Sequence, residues 1–267
     1  MKSIELARKA RIHAVQIVHN AQASHIASAL SILDILAVLY KNVLNVLPSE
    51  PENPNRDRFI LSKGHACVGV YAVLAECGFF EKEMLLTYGM NGSILMNHIS
   101  HKIPGVEFST GSLGHGLPFG VGKALAAKKM KKNWRTYVLL SDGEMQEGSN
   151  WEAFMFAAHH KLDNIIAIID YNNLQSLTTV DKTLNIQPLS EKLKSFGWHV
   201  IEVDGHNHDA LKKSFKEARV VKGKPIVIIA KTTKGKGVSY MENRVEWHYK
   251  SLSANELKAA ISELENA

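Results

Sequence analysis

Asp142 and Asn172 are the residue types that hold a hard divalent cation, and each follows an apolar run. Thr136–Leu140 leads into Ser141-Asp142-Gly143, and Asn164–Asp170 leads into Tyr171-Asn172-Asn173. If the two runs are near-neighbour strands, a carboxylate and an amide oxygen meet at one crevice. Mg²⁺ accepts such a site: few protein oxygens, with phosphate and water filling the other positions. The backbone carbonyl of Leu174 is placed to add a further oxygen. Gly143 lets the chain turn tightly beneath a diphosphate. Either dipeptide taken alone also reads as an ordinary turn or loop.

A second group of residues points to phosphate. Gly111, Gly114 and Gly116 precede an expected helix, where backbone N–H groups approach an anion at the positive helix end. The spacing is not a dinucleotide fingerprint, because Gly120 falls one residue late, and no Gly-Lys-Ser/Thr follows to make a P-loop. The same residues also read as a loop with a helix start. The chain carries 13 histidines, the side chains that move protons near neutral pH. His13, His19, His159, His160 and His199 read as surface or satisfied core residues.

The elements that would position these residues alternate. Strands are expected at Arg58–Leu61, Thr136–Leu140, Asn164–Asp170, Trp198–Val203 and Pro225–Ala230. Helices are expected at Ala66–Glu76, Leu117–Lys131, Asn150–His160 and Asp209–Val221, with two more before residue 60. The N-terminal helix should bury Ile4, Ala7, Ile12, Val15 and Val18. Strands apolar on both faces and separated by helices imply an α/β fold, a parallel sheet covered on both faces. Ligands then bind beyond the carboxyl ends of the strands, where Asp142, Asn172, Asp204 and Lys231 fall. Residues 88–118 are irregular and rich in Gly, Asn, His and Pro, a length of loop more often functional than idle.

Composition excludes several classes. Hydrophobic residues at 45% and charged residues at 22% are those of a globular chain. No apolar run reaches the ~20 residues of a membrane span. The charged N-terminus is no secretion signal. Cys67 and Cys77 read as free thiols in a reducing cytoplasm. The net charge of +6 suits anionic ligands. The basic run Lys128, Lys129, Lys131, Lys132 closes an expected helix, where cations meet the negative dipole end. No aromatic-interleaved basic stripe supports nucleic-acid binding.

These motifs together resemble one family. Ser141-Asp142-Gly143 with Asn172-Asn173 is similar to the GDG…NN signature of thiamine-diphosphate enzymes. Glu144 to Gly148, with Glu152-Ala153, resembles the transketolase form of it. Asn55 to Ala66 resembles the transketolase NRDRFxLSxGHA segment, Pro104 to Gly116 its PGVExxTGxLGxG segment, and Asp204 to Asp209 its DGHD element. Lys231 to Gly237 with Trp247-His248 resembles its KTxKGxG…WH tail. The resemblance covers nearly the whole chain and implies the N-terminal, diphosphate-binding subunit of a split transketolase.

The resemblance implies thiamine diphosphate and Mg²⁺, with Ca²⁺ or Mn²⁺ as substitutes. It implies metal ligands at Asp142, Asn172 and Leu174. Cofactor contacts would fall on His65, Gly111, Ser112, Leu113, Gly114, Gly143, Glu144, Glu147 and Asn172. His25, His65, His98 and His248 would be catalytic, with His101 competing for the place of His98 and His206 ordering a loop. The chemistry would pass a two-carbon ketol unit from a ketose to an aldose. Residues 1–267 would be a single diphosphate-binding domain, the pyrimidine-binding and C-terminal domains lying on a partner chain in an α2β2 assembly. Glu147 would support that interface or serve as a helix cap. Substrates would be small sugars or sugar phosphates, with no nucleic acid and no membrane. Other thiamine-diphosphate carboligases or decarboxylases, and a non-catalytic regulatory paralogue, are the rival assignments. The sequence departs from the family at Ser141 and His115, at Ser24 to Ser28, and at His98-Ile99-Ser100. The last two departures imply an altered sugar pocket.

Overall fold

The structure, a computed structural model, describes residues 1–266. Five strands form one fully parallel sheet: β1 Arg58–Leu61, β2 Thr136–Ser141, β3 Ile165–Tyr171, β4 His199–Asp204 and β5 Ile226–Lys231. Their spatial order is β1-β2-β3-β5-β4. The helices are α1 Ser3–Ala21, α2 Ile26–Leu30, α3 Leu33–Val38, α4 Cys67–Cys77, α5 Gly116–Lys129, α6 Gly148–His159, α7 Val180–Thr183, α8 Leu189–Ser195, α9 His208–Val220 and α10 Ala254–Glu265.

Successive strand residues point to opposite faces, and both faces are covered. Tyr137, Leu139, Ile166, Ile168, Ile226 and Ile228 face a core built with α1 to α4, α9 and α10. Val138, Leu140, Ala167, Ile169, Val227 and Ile229 face a second core built with α5, α6 and α8. This two-sided burial is why β2, β3 and β5 read as continuous apolar runs.

Each expected strand is present within a residue or two of its bounds. The expectation for α1 needs correction. Ala7, Val15 and Val18 are buried as expected and Ile12 is partly buried, but Ile4 is 65% exposed, and the buried face also takes in Leu6, Ala10, Ala14 and Ile17. The second N-terminal helix is broken into α2, α3 and a wide π-type turn at Leu39–Val43. Helices α7, α8 and α10 were not anticipated. For α10 a signal was present: Ser253 and Glu256 form a reciprocal capping box.

The family-like motifs largely brace one another. Glu107 pairs with Arg56 at 2.7 Å and Lys123 at 2.8 Å, with Arg58 at 3.4 Å. Asp57 accepts from the backbone N–H groups of Asn45 and Arg135. Gly64 stands where a Cβ would lie 2.3 Å from the Thr110 carbonyl oxygen, so the β1 turn and the glycine-rich loop can touch only at glycine.

Candidate active site

Strand register builds the site. β2 and β3 are direct neighbours, with Ser141 opposite Asp170. Asp142 and Asn172 therefore leave the sheet side by side at its carboxyl edge. Asp142 is 1% exposed. Its carboxylate accepts from the N–H groups of Gly143 at 2.7 Å, Asn172 at 2.9 Å, and Asn173. Burial, and then the nearby Asp170 carboxylate, push its pKa up to about 7. The Asn172 amide is oriented: its NH₂ donates to Asp170 Oδ2 at 3.0 Å, and its Oδ1 accepts from the Leu174 N–H at 3.0 Å. One lone pair of that oxygen stays free for a cation.

These residues line a cavity of about 270 Å³. Ten of the residues singled out from sequence meet there: His25, His65, His98, Gly111, Leu113, Asp142, Gly143, Asn172, Leu174 and His248. Ser112, Gly114, Glu144 and Glu147 do not line it. Glu144 is fully buried and accepts from Ser62 Oγ, from the Gly114 N–H at 2.9 Å and from the Ser141 N–H at 3.3 Å. The Gly114 N–H is thereby spent on holding its own loop. Gly114 has φ +82°, and a Cβ there would strike Ser149 Oγ and Glu147 Cβ. His101 is exposed and bonds Ser109, leaving His98 as the histidine at the cavity. His206 bonds the Thr233 N–H and Asp34, which is loop ordering.

Sequence reasoning missed four groups. Lys63 and Asp170 form an ion pair of 2.6 Å at 1% and 0% exposure. Lys63 Nζ also donates to the Ser28 carbonyl at 3.0 Å. Asp170 further accepts from Ser31 Oγ at 2.6 Å and from Thr232 Oγ1. Burial alone would raise its pKa, but the Lys63 ammonium overcomes this and holds it below the usual carboxylate range. Lys234 is 1% exposed and donates to the Gln175 carbonyl at 2.8 Å and to His248 Nδ1 at 3.0 Å. Neither partner is acidic. Burial, then repulsion from Lys63, lower its pKa to about 8. Both lysines sat inside recognised motifs, but a lysine carries no sequence mark of burial. Gln175, the fourth, had no signal.

The donor set fits an anion carried on a divalent cation. Asp142 is a buried carboxylate short of positive charge, and Lys234 is a buried ammonium whose bonds go to neutral groups. Gln175 Nε2 is buried without a hydrogen-bond partner, close to where a Cβ at Gly143 would lie. A phosphate oxygen answers each donor, and a divalent cation answers the carboxylate.

Four imidazoles line the same cavity. His25 lies 5.1 Å from His65, 5.9 Å from His98 and 5.0 Å from His248, centroid to centroid. His25 has φ +72°, an uncommon conformation for a residue with a Cβ, and its N–H donates to the His248 carbonyl at 2.8 Å. Burial, then His98 and Lys234, lower the His25 pKa to about 4. Burial, then Lys234 and His25, lower that of His248 to about 3. Burial likewise holds His65 well below the usual value. At pH 7 these three rings are neutral. The unfolded chain binds protons below pH 6.5 that the folded chain refuses until about 4 and 3. Stability therefore falls as pH drops through that window. In urea unfolding at a series of pH values, His248→Gln is expected to flatten the decline below pH 6.5. Parallel curves for variant and parent would contradict this.

Comparison with known proteins places the chain. Residues 3–265 match the family described as transketolase, thiamine diphosphate binding domain. The chain is 41% identical over 265 residues to one subunit of an apulose-4-phosphate transketolase from Phocaeicola vulgatus, covering 99% of this chain and 94% of that protein. It is 44% identical over 267 residues to a protein of the same name from Actinobacillus succinogenes, covering 98% of this chain and 96% of the relative. Human transketolase is 40% identical over 261 residues, but the match spans 41% of its length. The solved transketolase from Leishmania mexicana superposes with a TM-score of 0.94 at 29% identity, over 99% of this chain and 41% of the other. The chain thus spans about two fifths of those longer transketolases. No described helix is long and apolar enough to cross a membrane.

Proposed function

This chain belongs to the transketolase thiamine diphosphate binding domain family, and from that premise we propose that it is the coenzyme-gripping subunit of a two-subunit transketolase. Residues 1–267 make one diphosphate-binding domain in this account. A partner chain supplies the pyrimidine-binding and C-terminal domains, two copies of each chain forming an α2β2 assembly in the cytoplasm. The observation that carries the proposal is the meeting of Asp142, Asn172 and Leu174 with His25, His65, His98 and His248 in one cavity.

Asp142, the Asn172 amide oxygen and the Leu174 carbonyl would hold Mg²⁺, and Lys234, Gln175 and the backbone near Gly111 and Gly143 would receive the diphosphate. When bound, thiamine diphosphate supplies the carbon that accepts and releases a two-carbon ketol unit. This chain's residues orient and move protons. Lys234 donates to His248 Nδ1, so the ring proton of neutral His248 sits on Nε2. That N–H, with His25, His65 and His98, meets the hydroxyl and carbonyl oxygens of a small sugar or sugar phosphate. Burial keeps His25, His65 and His248 uncharged at pH 7, so they meet those oxygens as neutral hydrogen-bonding rings.

Reconstitution tests this. The chain is mixed with the pyrimidine-domain product of a neighbouring gene, Mg²⁺ and thiamine diphosphate, and ketol transfer is followed across several ketose donors. Transfer that needs both chains is expected. Coenzyme binding without transfer from any donor would instead favour a regulatory paralogue, and decarboxylation of a 2-oxo acid would favour another thiamine-dependent activity.

A further inference from the structure

Lys234 lies on the segment after β5, and the two backbone groups flanking it are tied to one buried side chain on the far side of that segment. Asp34, on α3, is 6% exposed and accepts four hydrogen bonds. Arg11 Nη1 and Nη2 reach it at 3.0 and 2.6 Å, His206 Nδ1 at 2.8 Å and His208 Nε2 at 3.0 Å. Two of these donors carry the connection onward. His206 Nε2 accepts from the Thr233 N–H at 2.8 Å. Arg11 Nε donates to the Lys236 carbonyl at 3.2 Å. The residue before Lys234 and the residue two after it are therefore both fixed through Asp34.

The hydrogen-bond directions in this relay are determined. A backbone N–H can only donate, so His206 Nε2 presents its lone pair and the ring proton lies on Nδ1, facing Asp34. The carboxylate then holds the imidazole in the one tautomer that can receive Thr233. Between the two anchors Gly235 turns at φ +83° with its N–H on the Ala27 carbonyl. A Cβ at Gly235 would lie 2.4 Å from the Met241 carbonyl oxygen. The turn is closely packed at Gly235, and Lys234 reaches His248 and the Gln175 carbonyl from it.

We infer that Asp34 and His206 are positioning residues for the diphosphate end of the site: they set the place of Lys234 without touching coenzyme or substrate. The inference rests on the functional assignment above, because it needs Lys234 to meet the coenzyme's anion. His208 supplies an internal control. It bonds the same carboxylate, but its other nitrogen meets Ser3 Oγ at 2.9 Å and leads nowhere near Lys234.

The test uses the chain reconstituted with its partner and Mg²⁺, with thiamine diphosphate titrated calorimetrically and melting temperature recorded for each variant. His206→Ala is expected to weaken coenzyme binding by about tenfold or more, the scale on which residues supporting a ligand shell act. His206→Gln, which can return an acceptor to Thr233, should recover most of that loss. His208→Ala should lower the melting temperature to a similar extent yet leave the dissociation constant within about twofold. Equal dissociation constants for His206→Ala and His208→Ala would overturn the inference while the functional assignment stands. Failure of the parent pair to bind the coenzyme at all would overturn both.

Discussion

Ketol transfer by the reconstituted enzyme falls by more than about a hundredfold when Asp142 is replaced by asparagine. Loss of a residue that merely supports a metal ligand costs roughly 10–100-fold in affinity or activity, and Asp142 is assigned as a ligand itself. The variant loses the carboxylate charge at the site proposed for the cation. It also sets an amide among the N–H groups of Gly143, Asn172 and Asn173, which all donate to the present carboxylate. An NH₂ on either side of the new amide meets a donor, so the turn that carries Asn172 is disturbed as well. Steady-state assays over a wide range of Mg²⁺ check this. A variant that regains full turnover at millimolar Mg²⁺ would show that the charge is dispensable.

The buried pair Lys63–Asp170 gives the second large effect, on stability. Removing one member of a buried ion pair leaves the other charged and unpaired, at a cost of about 3–5 kcal/mol. Against a total stability of roughly 5–15 kcal/mol this is a large fraction. Asp170→Ala strands the Lys63 ammonium and also releases Ser31, Thr232 and the Asn172 amide, all of which now bond Asp170. Replacing both partners by apolar residues, Lys63→Met with Asp170→Leu, should restore much of the stability. Coenzyme affinity should stay low, because the Asn172 NH₂ then loses its carboxylate acceptor. Denaturant unfolding and coenzyme titration on the same proteins separate the two quantities. A double variant as unstable as Asp170→Ala would contradict the electrostatic explanation, and one that binds normally would contradict the orienting role of Asp170.

Much of the fold was legible because β2, β3 and β5 are apolar on both faces and alternate with helical segments, the pattern of a covered parallel sheet. The adjacency of β2 and β3 stood only as a condition in the sequence, since β3 pairs with β5 and not with the next strand in the chain, and the register of β2 on β3 supplies the meeting of Asp142 and Asn172. Features set by long-range packing were not legible. The buried face of α1 is set by its packing against α4, α3 and α10, which takes in Leu6, Ala10, Ala14 and Ile17 and leaves Ile4 outside. Within the site, motif residues could be recognised but not sorted. Glu144 and Gly114 bond each other, and Arg56, Arg58 and Glu107 brace the scaffold, although the same motifs contribute His65 and Gly111 to the cavity. Lys63 and Lys234 escaped notice because burial of a lysine depends on partners far away in sequence, Asp170 for one and the Gln175 carbonyl for the other.

The central claim is that Asp142, Asn172 and Leu174 hold one divalent cation that carries the coenzyme's diphosphate. Crystals of the chain with its partner, soaked with Mn²⁺ and thiamine diphosphate and measured at the manganese absorption edge, test it directly. The account predicts one anomalous peak in contact with the Asp142 carboxylate, the Asn172 amide oxygen, the Leu174 carbonyl oxygen and two phosphate oxygens, with Lys234 against the same diphosphate. A manganese peak elsewhere, or a diphosphate seated away from Asp142, would contradict it.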